Sequence, residues 1–160
     1  MEINEFNIKP FSILDKGWAL VTAGTKENFN MMTISWGGFG TLWYKPVITT
    51  YIRKHRYTYE FLEKNEYYTI TIFDDEYKKD LSILGSKTGK DTDKLSETTL
   101  TPKFYEDNVI GYNEAKLTIK CRKIHTQDLI TDNEEINKKF NENEQPHAIV
   151  IGEVLEIIEG

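Results

Sequence analysis

A single cysteine, Cys121, stands in 160 residues. An intrachain disulfide is therefore excluded, and a reducing cytoplasm is the expected setting. The three histidines, His55, His125 and His147, share no metal-ligand spacing with one another or with Cys121, so no metal centre is expected. No Ser/His/Asp arrangement for nucleophilic catalysis can be drawn either. No apolar run reaches the ~20 residues that span a bilayer. The leading MEINEFNIKPF lacks a basic region followed by an apolar one, so neither a membrane partner nor a signal peptide is expected. Positive charge is not in excess: 20 Lys and Arg face 26 Asp and Glu, a net charge of −6. That balance sets aside a nucleic-acid partner, which usually demands a basic face. Nucleotide fingerprints are missing too. There is no G-x-G-x-x-G. In residues 85–91, GSKTGKD, three residues rather than four separate the glycines, and Asp91 rather than Ser or Thr follows Lys90. This excludes a Walker A loop.

What remains is a chain of ordinary composition, 39% hydrophobic and 29% charged, and of a length suited to one domain, residues 1–160, with a real core. Short strand signals dominate. Residues 18–22 read as a strand ending at Ala23-Gly24. Residues 31–39 read as a second, with Gly37, Gly38 and Gly40 marking a bulge or close approach. Residues 47–52 are β-branched, and YYTITIF at 67–73 is the clearest strand of all. From Ala115 the pattern alternates, with Ala115, Leu117, Ile119 and Cys121 on one face and Lys116, Thr118, Lys120 and Arg122 on the other. That predicts a half-exposed antiparallel strand, on which Cys121 is buried and inert. Residues 147–158 close the series around Gly152. Helical spacing is confined to residues 58–64, with Phe61 and Leu62 inward, to residues 77–84, and to a surface helix or loop over 132–145 carrying Ile136 and Phe140. Many short strands with few helices predict a mainly β fold, an antiparallel barrel rather than βαβ units.

Residues 30–58 carry the chemistry. Met32, Trp36 and their aromatic neighbours can pack a planar ring. The run Arg53-Lys54-His55-Arg56-Tyr57-Thr58 puts cations and a hydroxyl where a helix starts, and helix N-termini attract phosphate through unpaired N–H groups and the dipole. Plainer readings stand beside these. The basic turn can be a surface cluster with Thr58 as N-cap and an Arg56–Glu60 pair. The methionines can be core filler, Trp36 and Trp43 core or interface aromatics, Asn30 a turn residue, and residues 85–94 a solvated turn. His147 reads as a strand start or as a residue near a substrate.

The motifs also resemble a family. Asn30, Met32-Thr33-x-Ser35-Trp36-Gly37, Trp43-x-Lys45-Pro46 and Tyr51-x-Arg53-x-x-Arg56-Tyr57-Thr58-x-Glu60-Phe61 match the flavin reductase-like proteins of the FMN-binding split-barrel superfamily, flavoredoxin-type members included. Gly85-Ser86-Lys87-Thr88-Gly89-Lys90-Asp91-x-Asp93-Lys94 follows, then Glu114-Ala115-x-Leu117, Cys121-Arg122-Lys123 and Ile151-Gly152-Glu153. The sequence departs from the commoner pattern at Leu84, where Cys is usual, and at Lys90, where Arg is usual. The resemblance implies a Greek-key split barrel that binds FMN non-covalently at a homodimer interface. It implies Asn30, Met32, Thr33, Ser35 and Trp36 along the flavin, Arg53, Arg56 and Thr58 at its phosphate, and Lys94 reaching the phosphate or ribityl chain. It implies an NAD(P)H-dependent flavin oxidoreductase, or alternatively a carrier reduced by a redox protein partner, or a flavin-free binding module. No catalytic side chain is implied, because the flavin carries the chemistry.

Overall fold

The computed structural model describes residues 1–141 and 145–160. Nine strands form, β1 Ala19–Gly24, β2 Phe29–Ile34, β3 Gly37–Leu42, β4 Lys45–Arg53, β5 Tyr67–Ile72, β6 Pro102–Phe104, β7 Ile110–Tyr112, β8 Leu117–Asp128 and β9 His147–Glu159. Seven of them make one antiparallel sheet in the order β2-β1-β5-β8-β9-β4-β3. Two helices cap it, α1 Tyr57–Lys64 and α2 Lys78–Ser86. The expected mainly β architecture is what the chain adopts.

The sequence pattern predicts one strand over residues 31–39. The structure divides it into β2 and β3, separated by Ser35 and Trp36. The two pieces lie at opposite ends of the strand order. From Ile34 to Gly37 the chain spans at most about 11 Å at about 3.6 Å per residue. The edges of a seven-stranded sheet can meet across so short a connection only if the sheet is rolled. Periodicity alone could not reveal this break, because both pieces read as extended chain.

Rolling gives the sheet an inside. Ala19, Val21, Met32, Ile34, Ile48, Ile52, Tyr68, Ile70, Ile119, Cys121, Val150 and Val154 all enter one buried cluster, sealed at one end by Phe61 and Leu62 of α1. Each fully buried Leu, Ile or Val there contributes about 1.5–3 kcal/mol. A second cluster forms on the outside of β1, β2 and β5, where Leu81 and Leu84 of α2 pack on Leu20, Met31, Phe73 and Tyr112. The spacing of Leu81 and Leu84 is one helical turn, so both face inward. Buried Asp80 on the same helix is satisfied by the backbone N–H and hydroxyl of Thr99.

Thr118, expected on an exposed face, is buried. The hairpin β6–β7 lies over that face: the carbonyl of Ile110 accepts from Thr69, and Gly111 approaches the Thr118 side chain. This hairpin escaped the sequence pattern because its strands have three residues each, too few for a period to register. Cys121 is fully buried, and burial pushes its thiol well above the usual range. The expected surface helix appears as a short turn, Glu134–Ile136, followed by a π-turn, Asn137–Asn141. The rest of the expected span, 142–144, lies outside the described residues.

β3 and β4 are joined by Trp43 and Tyr44, with φ of 52° and 59°. Two residues with positive φ fit the right-handed twist of a hairpin, a role normally given to Asn-Gly. Left-handed backbone costs an L-residue with a bulky side chain roughly 1–2 kcal/mol. Both rings are exposed, Tyr44 entirely, so little packing offsets the cost. The double substitution Trp43→Asn, Tyr44→Gly is expected to stabilise the isolated protein by about 1–2 kcal/mol, raising Tm by about 2–4 °C per kcal/mol. Scanning calorimetry checks this, and a lowered Tm would show that the two rings contribute more than the turn costs.

Candidate functional site

The joint between β2 and β3 is where the expected ligand residues collect. Met32, Thr33, Ser35 and Trp36 line a cavity of about 170 Å³ together with Arg53, Arg56, Tyr51 and His147. Two of its walls come from strand alternation. Tyr51 and Arg53 sit two apart on β4, hence on one face, and Arg53 pairs with His147 of β9 in register. Tyr51 was not assigned to the site from sequence, and His147 was read as a strand start or as a residue near a substrate. Their signal is this same-face spacing, which has meaning only once β4 and β9 are known to be neighbours.

At the aromatic end, the Trp36 ring lies 5.7 Å from both the Phe140 and the His147 rings. Trp36 remains 46% exposed, so it forms a wall rather than part of the core. Phe140 also fixes a cation: its carbonyl accepts a hydrogen bond from Arg53 Nη2 at 3.2 Å. Arg53 therefore lies beside Trp36 and His147, and Arg56 stands alone of the two at the head of α1. Met31 and Met32 are both buried. Met31 belongs to the outer core under α2, so the plain packing reading holds for it.

At the other end, the chain enters α1 with Arg56 in the capping position and no side-chain cap. Thr58 is therefore not the N-cap. Its buried hydroxyl accepts from Asn30 Nδ2 at 3.2 Å, tying β2 to α1. No Arg56–Glu60 ion pair forms among the described residues. Arg56 Nη1 instead donates to the Gly85 carbonyl at 3.0 Å, at the C-terminal end of α2. Arg56 Nη2 is buried and meets no hydrogen-bond partner among the described residues. Burial also lowers the pKa of this guanidinium from its ordinary value.

Lys94 lies in the loop that follows α2. It lies 2% exposed in a short 3-10 turn, Lys94–Glu97. Its ammonium donates to the carbonyls of Leu84 at 3.0 Å and Lys87 at 3.1 Å. With Asn30 and residues 89–95 it lines a second, polar cavity of about 510 Å³. Between the two cavities runs the turn of residues 85–89, pressed against β2. A Cβ on Gly89 would fall 2.3 Å from Asn30 Oδ1, so only glycine lets the turn come this close. A depression of about 560 Å³ at Leu129, Ile130 and Pro146 lies elsewhere and brings no such cation pair together.

Asn30, Arg56, Thr58 and Lys94 thus form one polar group around the start of α1, while Met32, Thr33, Ser35, Trp36 and Arg53 line the adjoining groove. No group of His, Cys, Asp and Glu suited to a metal ion occurs among the described residues. No helix among them is long and apolar enough to cross a membrane.

Comparisons with known proteins agree with this architecture. Flavoredoxin from Methanosarcina acetivorans superposes with a TM-score of 0.72 at 17% identity, over 100% of this chain and 74% of the other. The FMN-binding protein of Thermus thermophilus, solved with bound p-hydroxybenzaldehyde, gives 0.72 at 16% identity, over 100% and 81%. The NADH:FAD oxidoreductase of Streptomyces globisporus gives 0.70 at 14% identity, over 90% and 75%. At such identities the likeness concerns the fold. No curated protein matches the sequence. The model of the flavin reductase like domain matches residues 11–160, nearly the whole chain, and the protein belongs to the flavin reductase-like family.

Proposed function

We propose that this protein binds FMN non-covalently in the groove at the β2–β3 joint and works as an NAD(P)H-dependent flavin oxidoreductase. Family membership supports a flavin-binding function of oxidoreductase type. FMN as the flavin and a nicotinamide as donor are our reading. The observation that carries it is Arg56 Nη2, buried without a partner among the described residues at the head of a helix. A buried guanidinium N–H left unsatisfied costs about 1–3 kcal/mol or more. A phosphate oxygen would remove that cost through a charge-assisted hydrogen bond, which the positive end of the helix dipole would reinforce.

The bound flavin would supply hydride and electron transfer. The chain's own residues bind and orient it. Met32, Thr33 and Ser35 offer the β2 edge to the ring system, and Trp36 walls one side. Thr58 and Asn30 hold the phosphate end in register with that edge. Arg53, tied to Phe140, lines the groove beside Trp36. None of these groups has to exchange a proton for hydride transfer to occur, so no catalytic side chain is assigned.

Purified protein is expected to take up about one FMN per chain and to quench its fluorescence. The Arg56→Ala substitution is expected to weaken FMN roughly 10- to 150-fold, the equivalent of the 1.5–3 kcal/mol of a charged hydrogen bond, and riboflavin much less. Titration of both ligands checks this. Failure to quench FMN at micromolar concentration would remove the flavin reading in favour of a binding module, and equal loss of both ligands would place Arg56 in folding rather than at the phosphate.

A carrier role, with reduction by a redox protein, has one observation in its favour. No separate nucleotide fingerprint exists in the sequence to hold a dinucleotide. Rapid mixing with NADH and NADPH separates the readings. Fast bleaching, with turnover of free flavin, is expected; negligible bleaching by both, with fast reduction by an iron–sulfur protein, would establish the carrier.

The flavin-loaded protein is expected to be a homodimer, because the groove is shallow and Trp36 at its rim is half exposed. Apolar surface of this kind is what symmetric interfaces cover. Light scattering should give twice the chain mass of 18.7 kDa, and a monomer that retains FMN would refute the dimer.

A further inference from the structure

We propose that Lys94 is a positioning residue: its ammonium clamps the C-terminal turn of α2 and thereby holds Arg56 in the orientation that receives an anion. This rests on the flavin reading for the identity of the anion, but the clamp itself is a statement about the ligand-free chain. The last carbonyls of a helix have no intrahelical donor and carry the negative end of its dipole. In α2 they are shared between two cations from different parts of the fold. Lys94 takes Leu84 and Lys87, and Arg56 takes the Gly85 carbonyl lying between them. The same turn is seated on β2 through Gly85 against Thr33 and Gly89 against Asn30. Among the described residues the Gly85 carbonyl is what anchors the Arg56 head group, and its place is fixed by the carbonyls on either side that Lys94 grips.

Two like charges meet here. Lys94 is held down to about 8, first by burial and then by Arg56. The charged groups around it are Arg56 at the head of α1, Lys90, Asp91 and Asp93 of its own loop, and Glu27 across the second cavity. An ammonium whose pKa is lowered from 10.5 to about 8 costs the fold free energy below pH 8, and that cost fades as pH rises towards 10.5. Alkaline pH therefore does not unfold the protein through Lys94. It removes the charge from the clamp while the second ionisation of a phosphate, near pH 6, is already complete.

The test compares the wild type with Lys94→Met and with Lys94→Gln, which keeps an amide donor, each checked for a native thermal transition. In the ligand-free proteins, amide hydrogen exchange over residues 85–90 is expected to rise at least tenfold in Lys94→Met and less in Lys94→Gln. FMN affinity is expected to fall about tenfold in Lys94→Met with riboflavin little changed. In the wild type it should weaken as pH passes 8, and in Lys94→Met it should stay flat from pH 7 to 9. Unchanged exchange with a loss of FMN would overturn the clamp and make Lys94 a direct phosphate ligand. Unchanged exchange and unchanged FMN affinity would overturn it outright. Should the wild type bind no FMN at all, the flavin reading fails, while raised exchange in Lys94→Met would still establish the clamp.

Discussion

The two-residue joint at Ser35–Trp36 is the constraint on which the rest of the structure depends. It connects β2, at one edge of the seven-stranded sheet, to β3, at the other. A connection that short forces the edges together, and bringing them together creates both the barrel interior and the seam. The seam cannot close fully by strand pairing, because the chain is changing direction there. Ser35 and Trp36 thus lie outside the ladders, beside side chains that the rolled sheet brings round from β4 and β9. A cavity at that place is a consequence of the topology.

The long pair β8–β9 accommodates the roll. The ladder runs from Leu117–Glu159 to Asp128–Ala148, with register shifts between Lys120 and Cys121 and between Lys123 and His125. Bulges increase local twist and bend a strand, and these fall midway along the sheet. Gly152 belongs to the same bend: a Cβ there would fall 2.1 Å from the Tyr68 hydroxyl, which crosses the barrel interior. This close approach is packing inside the barrel, on the opposite side of the wall from the groove.

The polar end of the site is assembled by helix termini. The head of α1 offers N–H groups and Arg56, and the tail of α2 offers carbonyls that hold Arg56 and Lys94. Lys94 is buried and Arg56 half-buried, and burial disfavours the charge of each. The α2 carbonyls compensate in part, but Arg56 Nη2 stays unsatisfied among the described residues. That residual imbalance stands in a protein whose net charge is itself negative.

Much of this was legible in the sequence. YYTITIF, the alternation from Ala115 and the apolar run from His147 specified strands, because a period of two is a local property of the chain. The order of motifs from Asn30 to Lys94 specified the family. The inward pair Phe61 and Leu62 followed from helical spacing, and the inertness of Cys121 from its place in an apolar row. Tertiary structure decided what no local pattern carries. It broke residues 31–39 in two, because the break serves the closure of the barrel and not the preference of the residues. It buried Thr118 under a hairpin whose three-residue strands leave no periodic trace. It separated Arg53 from Arg56, giving one to Phe140 and the other to α2, although both stand in a single basic run. It also enclosed Lys94, a residue that in a polar loop reads as solvated, because the lysine's partners are backbone carbonyls, and a sequence does not say where carbonyls point.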